Sequence, residues 1–89
     1  GMWAQLRLEE AGGGLRAPGD SVTLHCRGHG IRSLGGVWWY RQTGGGSLQW
    51  VSVISSDSSV ILFGQSVEGR ATASRDNSRT VTSLSLRAL

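Results

Sequence analysis

Apolar and polar residues alternate along most of this chain. Leu6-Arg7-Leu8-Glu9 opens the pattern, and Val22-Thr23-Leu24-His25-Cys26-Arg27 repeats it. From Thr80 to Leu86, Thr82, Leu84 and Leu86 stand against Val81, Ser83 and Ser85. Successive side chains of a β-strand point to opposite faces, so each run predicts a half-buried strand. Cys26 falls on the buried face of its strand and His25 on the outer face. Four further runs read as strands: Val37–Gln42, Leu48–Ile54, Val60–Phe63 and Arg70–Arg75. In the second of these, Leu48, Trp50 and Ser52 are assigned to one face.

The breaks between runs have turn chemistry. Gly12-Gly13-Gly14 ends the first run. Ala17-Pro18-Gly19-Asp20 is a turn in which proline presets φ and glycine accepts positive φ. Thr43-Gly44-Gly45-Gly46-Ser47 is a turn by composition, Ser55 to Ser59 is a hairpin tip, and Gly64 to Gly69 is irregular. Asp76-Asn77-Ser78 turns because Asp and Asn side chains bond their own backbone. Residues 28–36 form a loop with glycines at both ends and Ile31 and Leu34 as apolar anchors. The whole predicts about eight short strands, turns every roughly eight to twelve residues and no helix: an all-β antiparallel sandwich.

The densest stretch is Gly36-Val37-Trp38-Trp39-Tyr40-Arg41-Gln42. Alternation puts Val37, Trp39 and Arg41 on one face and Trp38, Tyr40 and Gln42 on the other. Both faces carry large aromatics, each with a big apolar body and a polar handle. Such a strand is covered on two sides, by its own core and by something else.

Composition bounds the rest. A chain of 89 residues makes one small domain, marginal without a staple. Gly1–Ala4 reads as a leader or expression-vector remnant, and residues 5–89 as the domain. All nine basic residues are arginines, spread from Arg7 to Arg87 against six acids. A nucleic-acid interface needs basic residues clustered on one face, so no nucleic-acid partner is expected. No apolar run approaches the roughly 18 residues of a membrane span. Cys26 is the single cysteine. It is a free thiol, an intermolecular bridge or half of a bridge whose partner lies elsewhere. His25 and His29 flank it without a recognisable metal-ligand spacing, so neither metal nor cofactor is expected.

Six segments, in order, resemble the immunoglobulin variable domain of the heavy-chain type. They are Glu10-Ala11-Gly12-Gly13-Gly14-Leu15 with Pro18-Gly19, Val22-Thr23-Leu24-His25-Cys26, Trp39-Tyr40-Arg41-Gln42, Leu48-Gln49-Trp50-Val51, Ser66-Val67-Glu68-Gly69-Arg70, and Ser74-Arg75-Asp76-Asn77-Ser78. The resemblance runs from about Gln5 to Leu89 and implies an immunoglobulin-like sandwich of variable type. It implies that Cys26 is the first cysteine of the bridge between the sheets and Trp39 the core tryptophan packed on it. It implies a light-chain variable domain as partner, met by Tyr40, Gln42, Leu48 and Trp50; the alternative for Trp50 is that it caps the domain's own core. It implies antigen contacts in loop 28–36, through Ile31, Arg32 and Ser33, and in loop 55–60, through Ser56, Asp57 and Ser58. Neither loop carries an aromatic anchor, so the two alone would bind weakly.

The chain also departs from the family. The resemblance implies an acidic-aromatic segment and a second cysteine in sequence following Leu89, so the sandwich is expected to be incomplete at its C-terminal strands. Loss of such a bridge costs about 2–5 kcal/mol. Ala71 and Ala73 stand where the family has larger apolar residues, and Arg70 where its acidic partner would follow Leu89. The spacing from Cys26 to Trp39 is a residue shorter than the family's usual one.

The function implied is antigen recognition in adaptive immunity, by an extracellular chain that is secreted or displayed at the cell surface. The alternatives are the variable-type domain of a non-antibody receptor, or a non-functional gene fragment, because function sits in loops grafted on a shared fold. No enzyme is expected. Ser, His and Asp are all present, but no serine sits in a nucleophile elbow, and triads are recognised by geometry.

Overall fold

The computed structural model describes residues 5–89, so the remnant expected at 1–4 lies outside the described residues. Seven strands, rather than about eight, run in chain order: β1 Arg7–Gly12, β2 Val22–His29, β3 Val37–Gln42, β4 Leu48–Ile54, β5 Ile61–Phe63, β6 Ala71–Asp76 and β7 Val81–Leu86. All pairings are antiparallel. One sheet has the order β1-β2-β7-β6 and the other β3-β4-β5. Two antiparallel sheets, with no helix among the described residues, are compatible with a β-sandwich.

The alternation read from the sequence sets which faces meet. Val51, Val67 and Leu84 form the buried centre, with Trp39, Phe63, Ala71, Ala73 and Leu86 packed around it. Thr82 and Leu84 are buried on the inner face of β7, as the pattern requires. Thr82 remains satisfied there because its hydroxyl donates to the carbonyl of Ser74 at 3.1 Å. The two small side chains, Ala71 and Ala73, stay only half-buried.

Two strands run past glycines read as breaks, and a third strand departs from the expected alternation; other limits shift by one residue. β1 continues to Gly12, opposite Leu24, and β2 continues through Gly28 to His29, opposite Leu8 and Arg7. Glycine composition signals a break, but ladder hydrogen bonds satisfy the backbone whatever the side chain. Gly12 also has φ +89°, and a Cβ there would collide with the Thr23 carbonyl. The third difference is on β4. Trp39 stands opposite Ser52, and Tyr40 opposite Trp50, so Val51 is an extra residue in the ladder. Such a bulge resets the alternation. Val51 and Ser52 are both buried, and Ser52 shares the inner face with Trp39 instead of the outer face with Trp50. The Ser52 hydroxyl is satisfied by the carbonyl of Leu62 at 2.9 Å.

The far end of the chain is tied down by backbone and by one arginine. The Gly19 amide donates to Leu89 and the Leu89 amide to Asp20, at 2.6 and 3.0 Å. Arg70 donates to the carbonyls of Arg87, Ala88 and Ser66, at 3.0, 3.1 and 2.5 Å. Its guanidinium is thus occupied by main-chain carbonyls.

Candidate functional site

Loops 28–36 and 55–60 lie at the same end of the molecule, and a third segment binds them together. Arg75, on the inner face of β6, donates from Nη1 to the carbonyls of Gly35 and Ser55, both at 2.9 Å. Its Nη2 donates to the carbonyl of Leu34 at 2.6 Å, and its Nε to Asn77 Oδ1 at 2.6 Å. Asn77 Nδ2 donates in turn to the carbonyl of Ser56 at 3.0 Å. The planar fork of a guanidinium suits several fixed acceptors at once, which an ammonium cannot match. Arg75 and Asn77 were not read as site residues from the sequence. The available signal was an arginine in an otherwise small, polar strand, beside an Asp-Asn turn.

The first loop is pinned at Leu34, which is buried, whereas Ile31 is 42% exposed. Of the two expected anchors, only Leu34 anchors firmly. Gly28 makes room for both, since a Cβ there would sit 2.9 Å from Leu34 Cδ2 and 3.0 Å from Ile31 Cγ2. Thr80 closes the base of the loop, donating from its hydroxyl to the Gly28 carbonyl at 2.9 Å and accepting the Gly28 amide at 2.8 Å. Arg32 and Ser33 are exposed beyond it.

The second loop is built around Asp57. Its Oδ1 accepts from the Ser55 hydroxyl at 3.0 Å and from the Ser59 amide at 2.9 Å. These bonds favour the charged form, and hydrogen bonding by Ser59 foremost, then Ser55, lowers the Asp57 carboxyl to about 2. Ser58 takes φ 63°, the left-handed conformation the tight tip demands. Ser56, Asp57 and Ser58 are all exposed, but the Asp57 carboxylate is already engaged by its own loop.

The outer face of the β3-β4-β5 sheet is the second surface. Register sets Trp38, Val53 and Leu62 in one row, Tyr40 beside Trp50 in the next, and Gln42 beside Leu48 in the last. Trp38, Tyr40, Leu48 and Leu62 are 56, 54, 70 and 54% exposed. This is a contiguous apolar face without a formal charge on any of those residues. A patch of this kind marks an interaction site more often than a scattered exposed leucine does. Of the four residues expected at an interface, Tyr40, Gln42 and Leu48 are open to solvent. Trp50 is half-buried, with its Nε1 enclosed and without a hydrogen-bond partner. It packs along Gly64, where a Cβ would lie 3.5 Å from its ring. Trp50 thus serves the domain's own packing as well as the face.

The third feature is a cleft of about 390 Å³ between β1, β2 and β3, lined by Leu8, Glu10, Leu24, Cys26, Trp39 and Tyr40 among others. Cys26 is buried and free. Burial first, and the Glu10 carboxylate second, push its thiol pKa up. Trp39 and Cys26 share this cavity, one from each sheet.

Other groups of chemical interest do not converge. His25 points outward, with Nδ1 2.8 Å from the Ser83 hydroxyl on the open face of the four-stranded sheet. His29 Nε2 sits 3.1 Å from Glu9, whose carboxyl it lowers by hydrogen bonding and charge. Strand alternation sends Cys26 inward and His25 outward, so the three residues cannot face one ion. Among the described residues no group of three or more His, Cys, Asp or Glu is placed to hold a metal. No helix among them is long and apolar enough to cross a membrane. No protein-family model matches the chain.

Proposed function

We propose that this chain is the variable part of an immunoglobulin heavy chain, an immunoglobulin-like sandwich of variable type that recognises antigen and pairs with a light-chain variable domain. The observation that carries the reading is the sheet order. In immunoglobulin domains one sheet runs A-B-E-D, and the variable type adds C′ and C″ beside C in the other. The orders β1-β2-β7-β6 and β3-β4-β5 follow that scheme strand for strand. On this scheme F and G adjoin C, where β3 has a free edge and the cleft opens. Cys26 on β2 and Trp39 on β3 then occupy the B-strand cysteine and C-strand tryptophan positions.

In this reading loops 28–36 and 55–60 contact antigen, with Ile31, Arg32, Ser33, Ser56, Asp57 and Ser58 outermost. Arg75 and Asn77 hold the two loops in one arrangement. The light chain covers Tyr40, Gln42 and Leu48, joined by Trp38 and the exposed part of Trp50. Such a protein works outside the cell, secreted or displayed on its surface. It performs no catalysis and takes no cofactor.

The experiment is to read the parent transcript past Leu89. An acidic-aromatic run closing on a cysteine, followed by a joining segment, supports the reading. A stop codon directly after Leu89, or a membrane-span sequence without a joining segment, overturns it in favour of a gene fragment or another receptor.

A further inference from the structure

β5 is a sheet edge without the usual defences. It pairs with β4 on one side and, among the described residues, with no strand on the other. The strands that the functional reading adds to this sheet lie beyond β3, at the far edge, so β5 stays outermost with or without them. The Gly64 amide donates to Val51, and the Ser55 amide to Val60. Bonded pairs alternate along an antiparallel ladder, so Leu62, opposite Val53, also bonds toward β4. Ile61 and Phe63 therefore turn their amides and carbonyls outward, where no other main-chain bond among the described residues reaches them. Val60, Ile61 and Leu62 are 47, 38 and 54% exposed. Natural edges are blunted by charged side chains or proline. The edges of the other sheet carry such charges: Arg7, Glu9 and Glu10 on β1, and Arg75 and Asp76 on β6. Residues 58–67 carry neither a charge nor a proline.

We propose that β5 pairs edge to edge with β5 of a second copy of this chain, antiparallel about a two-fold axis at Leu62. Ile61 then faces Phe63 of the second copy and Phe63 faces its Ile61. Both are pairs whose main-chain groups point outward, so each exchanges two hydrogen bonds. Main-chain groups alone would accept any extended strand, and the side chains favour a second copy. Leu62 meets Leu62 on the outer face, in a non-bonded pair with Cα atoms about 4.5 Å apart. This joins the row Trp38, Val53 and Leu62 to its own image and makes one apolar row across six strands. Val60 meets Gly64 and Ser59 meets Gln65, so no like charges face each other. The contact is isologous and closes at two copies. With three residues pairing on each side it is small, and a dissociation constant of about 10–100 µM is expected.

The test is sedimentation of the intact protein that carries this chain, over a range of about 5 to 500 µM. The expected result is a reversible doubling of mass. Leu62→Lys and Leu62→Glu each weaken it at least about tenfold, because like charges then meet at the axis, and mixing the two variants restores it. Leu62 is exposed, so neither change reaches the core. Residue-resolved hydrogen exchange gives a second readout. The Ile61 and Phe63 amides slow as concentration rises, whereas the Leu62 amide, held by β4, is protected throughout. A constant mass, a doubling that survives Leu62→Lys, no recovery in the mixture, or a doubling abolished by Tyr40→Ser and indifferent to Leu62 would each overturn the proposal. None of these results bears on the sequence past Leu89, so the functional reading is tested separately.

Discussion

The Arg75 guanidinium lies 2.6 Å from the carbonyl of Leu34, joining the β6 strand to the base of a loop far earlier in the chain. The same group holds Gly35 and Ser55. One side chain on the scaffold thus sets the relative position of the two loops proposed to meet antigen. Removing it leaves the Gly35 carbonyl without its donor and takes one of two from the carbonyls of Leu34 and Ser55, which keep the Ser33 hydroxyl and the Ser58 amide. Arg75→Met is expected to cost about 2–3 kcal/mol in denaturant unfolding, the size of a lost charge-assisted hydrogen-bond set. Hydrogen exchange should rise in both loops together. Arg75→Lys should recover only part of the loss, because an ammonium cannot reproduce the fork.

Part of the acid response should trace to Asp57. Its folded-state carboxyl titrates at about 2, below the ordinary 3.8, through its bonds to Ser59 and Ser55. A depressed carboxyl adds stability that is complete above the unfolded value and is lost as pH falls through the folded one. The contribution should therefore fade from about pH 4 to pH 2. Carbon-detected NMR titration should show Asp57 still ionised at pH 3, and Asp57→Asn should flatten that part of the acid unfolding curve. An ordinary titration near 3.8 contradicts the loop geometry.

Cys26 should be a slow thiol. Burial and the facing Glu10 raise its pKa, and the thiolate is the reactive form. Alkylation of the folded chain should run at least about tenfold slower than in denaturant. Glu10→Gln should speed it measurably without altering the fold. Equal rates in the folded and unfolded chain would place the thiol at the surface.

The glycines differ in what they tolerate. Gly64→Ala brings a Cβ to 2.7 Å from the Trp50 carbonyl, so backbone must move. A cost of about 1–3 kcal/mol is expected, as for other overpacked sites. Gly44→Ala meets nothing within 4 Å and should change stability by less than about 0.5 kcal/mol. Thermal unfolding of the two variants makes the comparison.

Much of this architecture was legible from period-two alternation. It placed Leu84 and Cys26 inward and His25 outward and set Trp39 and Tyr40 on opposite faces, and the turn chemistry separated the strands near their observed limits. What escaped depended on pairing rather than on local pattern. The bulge at Val51 moved Ser52 to the inner face, and nothing in Leu48-Gln49-Trp50-Val51-Ser52 distinguishes a bulged ladder from a regular one. Gly12 and Gly28 read as breakers yet sit in ladders, since their partners Leu24 and Leu8 complete the hydrogen bonds. Trp50 is expected at an interface or as a cap on the domain's own core, and its half-buried ring reaches Gly64, a contact that pairing across β4 and the chain beyond β5 decides. Arg75 looked like any strand arginine until two distant loops came to rest on it.

The outer face of β3 and β4 is where the proposed pairing can be measured most directly. Sedimentation of the intact protein that carries this chain, with a light-chain variable domain, measures whether that face is a pairing surface. The expected result is a one-to-one complex, weakened at least about tenfold by Tyr40→Ser or Leu48→Ser and less by Trp50→Ser, whose ring is partly committed to the domain itself. No complex, or one indifferent to Tyr40 and Leu48, would contradict it.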